Sequence, residues 1–415
     1  MDLSDVEESM LSGDMGEPRR RAIEHQIKVG RFFDAPNMVE IAQAHIMADT
    51  EALGGANVAY LEDIARFPEE DRRVAVPTIT DPRGADLKQY KSIRQDEAFI
   101  DLERRTITAF KALGVMMTDT CINYQLFMPP VLGQHMAFGD TGVCIYSNSV
   151  LGARTNYEGG PSALAAALTG RTPRYGFHCD EHRRGTALFE IRDQPKSLTD
   201  WGALGGIVGR EMRSYFEVPV LDGITSAPTS DDMKHFGAAL ASFGSTPLFH
   251  IIGVTPEAPD LKSVFDAAPP RPTCIQASDI ENFYGDYGAS DDQLDVVVFA
   301  APQLSLIELQ SLAGLLDGRH VDTNVSLLVC TAPAFKAEAD RMGFTHKIEK
   351  AGALLLEGVC FYNMHARELG EANGWQRLMT NSAKLTNIIS GYGYEPVLGA
   401  MEACVESAIA GRIVR

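Results

Sequence analysis

"LDVVVFAAPQLSLIELQSLAGLL", residues 294–316, sets a continuous apolar run against a segment with helical spacing of its leucines. A short unbroken apolar run bounded by proline reads as a fully buried strand, and the leucines that follow read as the helix covering it. The same couplet recurs downstream: "VSLLVC" with "PAFKAEADRMG", then "LLLEGVCF", then "RLMT" with "NSAKLTNIIS". Upstream, Ser230 caps a helix through Ala241 and "PLFHIIGV" follows as a buried strand. Strand–helix alternation of this kind requires right-handed crossovers and a mainly parallel sheet covered by helices on both faces, an α/β fold. Ligands of such sheets sit outside the carboxyl ends of the strands. Those ends fall at Ala300–Ala301–Pro302, Cys330–Thr331, Cys360 and Thr380–Asn381–Ser382, and two of the four deliver a cysteine to one rim.

The first half alternates less plainly. Ser4 and Glu7 form a capping box for a short helix through Leu11, and a longer helix from near Pro18 carries Ile23 and Ile27 on one face. "RVAVPTIT" reads as a strand ending near Pro77, residues 97–113 as a helix, and "GVMMTDTC" as a β-rich run delivering Cys121 into a Pro/Gly loop. Residues 143–146 read as another strand, and Pro161 opens the helix "SALAAALTG", which stops at Gly170. Residues 258–290, rich in Pro, Asp and Gly, read as a surface excursion. Two lobes are expected, residues 1–229 and 230–415, with no internal repeat.

Composition narrows the function. A net charge of -19 argues against nucleic acid, whose backbone needs clustered Lys and Arg. No apolar run reaches the roughly 20 residues that span a bilayer, and the acidic N-terminus is unlike a signal peptide. These features point to a cytoplasmic enzyme. Seven cysteines without a CxxC read as reduced thiols rather than a disulfide framework.

Within the first lobe lies "NSVLGARTNYEGGPSA", residues 148–163. Its glycines allow close backbone approach, Arg154 can fork onto a carboxylate or phosphate, and Asn148, Ser149, Thr155 and Asn156 supply donors and acceptors. The helix starting at Pro161 and Ser162 adds free N–H groups, so the stretch reads either as a cradle for a small anion or as a solvated loop with a capped helix.

Extended to residues 148–184, through "RTPRYGFHCDEHRR", this segment resembles the signature of the aconitase X family. "TDTC" ending at Cys121, "GQH" ending at His135, "GVTPEA" at residues 253–258, "TNSAK" at 380–384 and the closing "MEACVESAIAGR" are similar too, covering essentially the whole chain as the family's large catalytic part. The resemblance implies an aconitase-like, multi-lobed α/β/α fold of mainly parallel sheets. It implies a hydro-lyase in which an iron–sulfur cluster or iron acts on a substrate hydroxyl while a base removes a neighbouring proton. It implies cis-3-hydroxy-L-proline ahead of mevalonate 5-phosphate as substrate. Because the swivelling domain that carries the base serine is absent, it also implies a small partner subunit. On this reading Cys121 and Cys360 are metal ligands, Glu158 and His135 are catalytic candidates, and Asn148, Ser149, Arg154, Thr155, Asn156, Ser162, Thr331, Asn381, Ser382 and Lys384 bind substrate around one cleft.

The sequence departs from the family in two places. Where the family commonly shows Gly-Cys-Pro-His, Ala300, Ala301, Pro302 and Gln303 stand here, so one expected cluster cysteine is an alanine. Cys330 is the first candidate substitute, and an altered or absent cluster is the alternative. Where the family has Glu-Ser-Ser, this chain has Asp140, Thr141 and Gly142, a retuned substrate end. A non-catalytic, anion-binding relative without the metal centre is the competing reading. The group His178, Asp180, Glu181 and His182 reads as a salt-bridge network rather than a zinc site, and Met116–Met117 as core packing.

Overall fold

The computed structural model describes residues 1–414. Its largest sheet has five parallel strands in the order Leu354–Glu357, Ser326–Thr331, Val296–Leu304, Arg377–Thr380, Glu395–Leu398. The central strand, Val296–Leu304, is buried at every position, as its unbroken apolar run requires. Val297 and Phe299 face a layer of helices that includes Leu306–Leu316 and Met401–Ala410. Val296, Val298 and Ala300 face the opposite layer with Phe361, Leu369 and Leu385. Period-two alternation thus makes a three-layer α/β/α unit. Ser305 closes the turn into the first of those helices with a capping box to Glu308.

A second parallel sheet runs His250–Ile251, Pro219–Asp222, Ala187–Ile191, Thr273–Ile275, drawing strands from both sides of position 230. Helices Leu198–Glu211 and Ser230–Gly244 pack together beside it. They approach so closely that a Cβ on Gly205 would lie 2.2 Å from the Phe236 carbonyl oxygen. A third parallel sheet orders Thr78–Thr80, Ala44–Ile46 and Ala137–Phe138. Met38–Glu40 pairs antiparallel with Arg171–Pro173. No helix among the described residues is long and apolar enough to cross a membrane.

Lys234, wholly buried on the helix Ser230–Gly244, ties the second sheet's helices to the five-stranded unit. It pairs with Glu308 and with Asp231 at 3.0 Å, and donates to the Gln303 carbonyl at 3.3 Å. Glu308 also takes His235 at 2.7 Å, so the buried charges are mutually satisfied.

Several sequence expectations change. Residues 143–146 are not a strand but part of the helix Thr141–Ser149, because Asp140 caps it by accepting from the Val143 N–H at 2.9 Å. Every residue from Gly142 to Ser149 is buried, so the run carries no amphipathic period to separate helix from strand. "RVAVPTIT" forms its strand after Pro77, at Thr78–Thr80, since proline cannot donate to a ladder. "GVMMTDTC" stays irregular apart from a bridge between Met116 and Ile79. The helix after residue 228 is capped by Thr229, with Asp232 completing its box. The 258–290 excursion supplies an edge strand, Thr273–Ile275, and the helix Ala277–Asp286.

Candidate active site

The carboxyl ends of two sheets deliver their following residues to one buried place. From the three-stranded sheet, Asp81 follows Thr80 and Asp140 follows the strand Ala137–Phe138. From the five-stranded sheet come Cys360, three residues beyond Glu357, and Lys384, on the helix that starts after Thr380. The Lys384 Nζ lies 3.7 Å from Asp140 Oδ2, donates to Thr141 Oγ1 at 3.4 Å and sits 5.5 Å above the Tyr362 ring. Burial alone would lower the Lys384 ammonium, but Asp140 and then the thiols of Cys121 and Cys360 outweigh it, so the group is pushed up and stays charged.

Asp81 is wholly buried, and neither carboxyl oxygen has a hydrogen-bond partner. His45 Nε2 stands 3.7 Å from Asp81 Oδ1, yet its bond at 2.9 Å goes to the Thr120 carbonyl. Burial, then the charges of Asp140, Cys121 and Asp49, push the Asp81 carboxyl well above the usual carboxylate range. The site therefore sets a carboxyl shifted toward its protonated form, Asp81, beside the raised ammonium of Lys384. A buried carboxyl without partners is costly to keep, which marks Asp81 as a group waiting for a ligand.

Cys121 and Cys360, distant in sequence, stand on loops that the Gln303 amide nitrogen holds together, at 3.2 Å from the Asp119 carbonyl and 3.1 Å from the Val359 carbonyl. The neighbouring Cys360 side chain, then burial, push the Cys121 thiol up. Cys330, the candidate substitute, lies near enough to Cys121 for the two thiols to influence each other. It lies inside its strand on the apolar face with Leu328 and is pushed up by burial. Among the described residues no three of His, Cys, Asp and Glu gather as a metal-holding group. The donor set expected for a cysteine-held cluster, with Cys330 as substitute, is thus incomplete.

The other expected residues divide. Thr331 and Ser382 stand at the strand ends, but their hydroxyls secure backbone. Thr331 donates to the Leu304 carbonyl at 2.8 Å, and Ser382 donates to the Ala301 carbonyl while capping its helix at Leu385. Asn381 is buried with its amide nitrogen unpartnered, and it lines a cavity of ≈ 570 Å³ shared with Thr229, Asp231, Glu308 and Met401.

The stretch 148–162 does not present the expected cradle. Asn148 bonds both backbone groups of Thr155 and the Pro247 carbonyl. Thr155 Oγ1 accepts from the Phe138 N–H and donates to the Asn156 carbonyl. Asn156 holds Tyr175 and Phe177, Ser149 accepts from the Phe249 N–H, and Ser162 pairs with His25 at 3.0 Å. These donors are consumed by the fold itself. Arg154 pairs with Asp180 and donates to the His178 carbonyl, while His135 meets His178 at 2.9 Å between the Nδ1 atoms. Burial and Arg154 push His135 down, so it is neutral. No hydrogen bond or ion pair among the described residues joins this group to Lys384. His178 and Asp180 form the expected polar network around Arg154.

Glu158 is fully buried, takes the Thr172 hydroxyl at 2.8 Å, and is pushed up to about 7 by burial against that bond. A raised folded pKa gives stability that is fully present below the ordinary value of 4.5 and is lost as pH rises through about 7. Between pH 4.5 and 7 the loss reaches about 3 kcal/mol. In Glu158→Gln this component vanishes, so denaturant titrations at pH 5 and pH 8 will differ by less in the variant than in the parent. Equal differences would refute the buried, protonated Glu158.

Sequence reasoning missed Asp81, His45 and Tyr362. The carboxyl-end rule would have found Asp81 had the strand been placed after Pro77.

Family models for the aconitase X first, second and third domains match residues 1–181, 185–285 and 294–410 in order. The chain is 35% identical over 396 residues to the phosphomevalonate dehydratase large subunit of Methanothermobacter thermautotrophicus, covering 94% of each. It is 30% identical over 416 residues to the cis-3-hydroxy-L-proline dehydratase of Pseudomonas aeruginosa, covering 99% of this chain and 70% of that protein. The crystal structure of Thermococcus kodakaraensis aconitase X in its holo form superposes with a TM-score of 0.86 at 28% identity, covering 98% of this chain and all of that one. With strand ends, buried lysine and all three domains in their family order, the chain belongs to the aconitase X family of dehydratases.

Proposed function

We propose that this chain is the large subunit of a hydro-lyase that removes water from a small hydroxylated carboxylate, with cis-3-hydroxy-L-proline as substrate. The observation that carries the reading is the buried group of one ammonium, Lys384, beside two carboxyl groups, Asp140 and Asp81. A zwitterion suits that balance: its carboxylate faces Lys384 and its secondary ammonium faces Asp140. A substrate carrying both phosphate and carboxylate would bring more negative charge to a site with a single buried cation and two acids.

Elimination breaks the Cα–H bond and the bond from the neighbouring carbon to its hydroxyl. Charge developing beside the substrate carboxylate is held by Lys384. Asp81, kept protonated by burial, donates its proton to the departing hydroxyl, which leaves as water. The base belongs to a small subunit that closes the site. The relatives matched nearly end to end are named large subunits, which supports a two-chain enzyme.

A second reading, mevalonate 5-phosphate, has one observation in its favour: the relatives acting on it match in length as well as sequence. Co-expression with the small subunit and assay of both compounds decides between them. Turnover of cis-3-hydroxy-L-proline is expected; turnover of the phosphate alone would reverse the assignment.

A further inference from the structure

Asp81 and Lys384 come from different sheets, and the end of the central strand, Ala301 to Gln303, is bonded toward both. On one side, Ser382 donates to the Ala301 carbonyl and accepts from the Leu385 N–H at 3.1 Å, which fixes the first turn of the helix Ala383–Ile389 that carries Lys384. On the other, the Gln303 amide nitrogen lies 3.2 Å from the Asp119 carbonyl, 3.3 Å from that of Thr331 and 3.1 Å from that of Val359. Asp119 is bonded in turn to the strand that ends beside Asp81. Its N–H donates to Thr80 Oγ1 at 3.0 Å, and Thr80 Oγ1 donates to its carboxylate at 3.0 Å. One row of hydrogen bonds therefore runs from Gln303 through Asp119 to Thr80, the residue before Asp81.

The Gln303 side chain is wholly buried, and its surroundings leave one orientation. With the amide reversed, its oxygen would face three carbonyl oxygens and no donor, so the nitrogen must point to them. The amide oxygen then has no partner among the described residues, a cost offset by the nitrogen's bonds. The backbone carbonyl of Gln303 accepts from Lys234 at 3.3 Å, so the strand end cannot shift without disturbing a buried charge network. The resemblance expects a cysteine and a histidine at this strand end; Ala301 and Gln303 stand there, and one amide joins three loops.

We propose that Gln303 is a positioning residue of this site, which through Asp119 and Thr80 holds Asp81 in register with Lys384. The assignment rests on the roles proposed above for Asp81 and Lys384. Register matters because a misplacement of about 1 Å between reacting groups can cost on the order of 10²-fold in rate.

Gln303→Met keeps the length of the side chain and removes its donors. Arg83 bonds Asp119 at 2.9 Å and the Glu357 carbonyl at 3.3 Å, so the loops stay joined and the complex with the small subunit should still fold. In that complex kcat is expected to fall by about 10- to 100-fold, with KM changed less than about threefold. Thr80→Val breaks the row one step further on and should give a similar fall. Because both act on one row, the double variant should lose little more than either single one. Without substrate, hydrogen exchange should quicken in residues 78–81 and 116–121 of Gln303→Met while the helix Met401–Ala410 keeps its protection. Quickened exchange in a complex that does not dehydrate cis-3-hydroxy-L-proline would support the link and sink the proposed reaction instead. Unchanged exchange in residues 78–81, a parental kcat in Gln303→Met, or losses that multiply in the double variant would each overturn the proposal. If Gln303→Met does not fold, Thr80→Val carries the kcat and exchange tests alone.

Discussion

Replacing Lys384 by Met is expected to lower kcat/KM by about 10³-fold, because the substrate carboxylate then meets a buried site whose remaining charged neighbour is Asp140. The geometry makes the loss larger than removal of a surface lysine. Lys384 is 5% exposed, and its ammonium faces Asp140, Thr141 and the Tyr362 ring. Water therefore cannot replace it cheaply. Losing one member of a buried pair also costs roughly 3–5 kcal/mol of stability through the uncompensated partner. The double variant Lys384→Met with Asp140→Asn separates these effects. It should recover thermal stability, since no charge is left unpaired, while activity stays low. If the double variant regained activity with its stability, Lys384 would be a structural counter-ion and not a substrate group. The division between kinetic constants is informative as well. Removing a lysine that holds the carboxylate equally in ground and transition states raises KM alone, whereas removing one that meets charge developing at Cα lowers kcat too. Both changes are expected here.

The five-stranded unit was legible because its signals are long. Residues 296–300 form an unbroken apolar run, helical spacing follows, and capping residues fall at the joints, so propensity and pattern agree. The three-stranded sheet was not legible, because strands of two or three residues such as Ala137–Phe138 are too short to display a period. Their place is fixed by parallel neighbours distant in sequence. The stretch 148–162 shows a different limit. Amides, hydroxyls and glycines in one segment identify a dense hydrogen-bond network, and nothing in the residue types tells whether the partner is a ligand or the chain itself. Here Asn148, Thr155 and Asn156 bind backbone. The rim of the five-stranded sheet falls as expected at Thr380, with Lys384 just beyond it, while the strand expected to end at Cys360 ends three residues earlier, at Glu357. Asp81 escaped because its signal is an environment, a carboxyl with no partner, which only the assembled sheets create.

That environment gives Asp81 two measurable consequences. Asp81→Asn keeps the size of the side chain and, if the native group is protonated, changes no charge. Folding at neutral pH should therefore survive. The amide cannot pass a proton to a leaving hydroxyl, so kcat should fall by about 10²–10⁴-fold with KM little changed. The pH dependence carries the sign. An acid must hold its proton to act, so parent activity is flat below the raised pKa of Asp81 and declines as pH climbs through it; the asparagine variant lacks that alkaline limb. Stability runs in parallel. A carboxyl raised by burial contributes stability fully present below its unfolded pKa and lost as pH rises through the folded one, so Asp81→Asn, having nothing to ionise, should resist alkaline unfolding better than the parent. The two readouts separate the roles. A variant that gains alkaline stability but keeps the parent's kcat would show Asp81 to be protonated and yet idle. A variant that loses kcat without gaining alkaline stability would mean that the carboxyl is already ionised in the native protein. In that case the proton for the departing water would have to come from another group, such as His45, whose Nε2 stands 3.7 Å from Asp81.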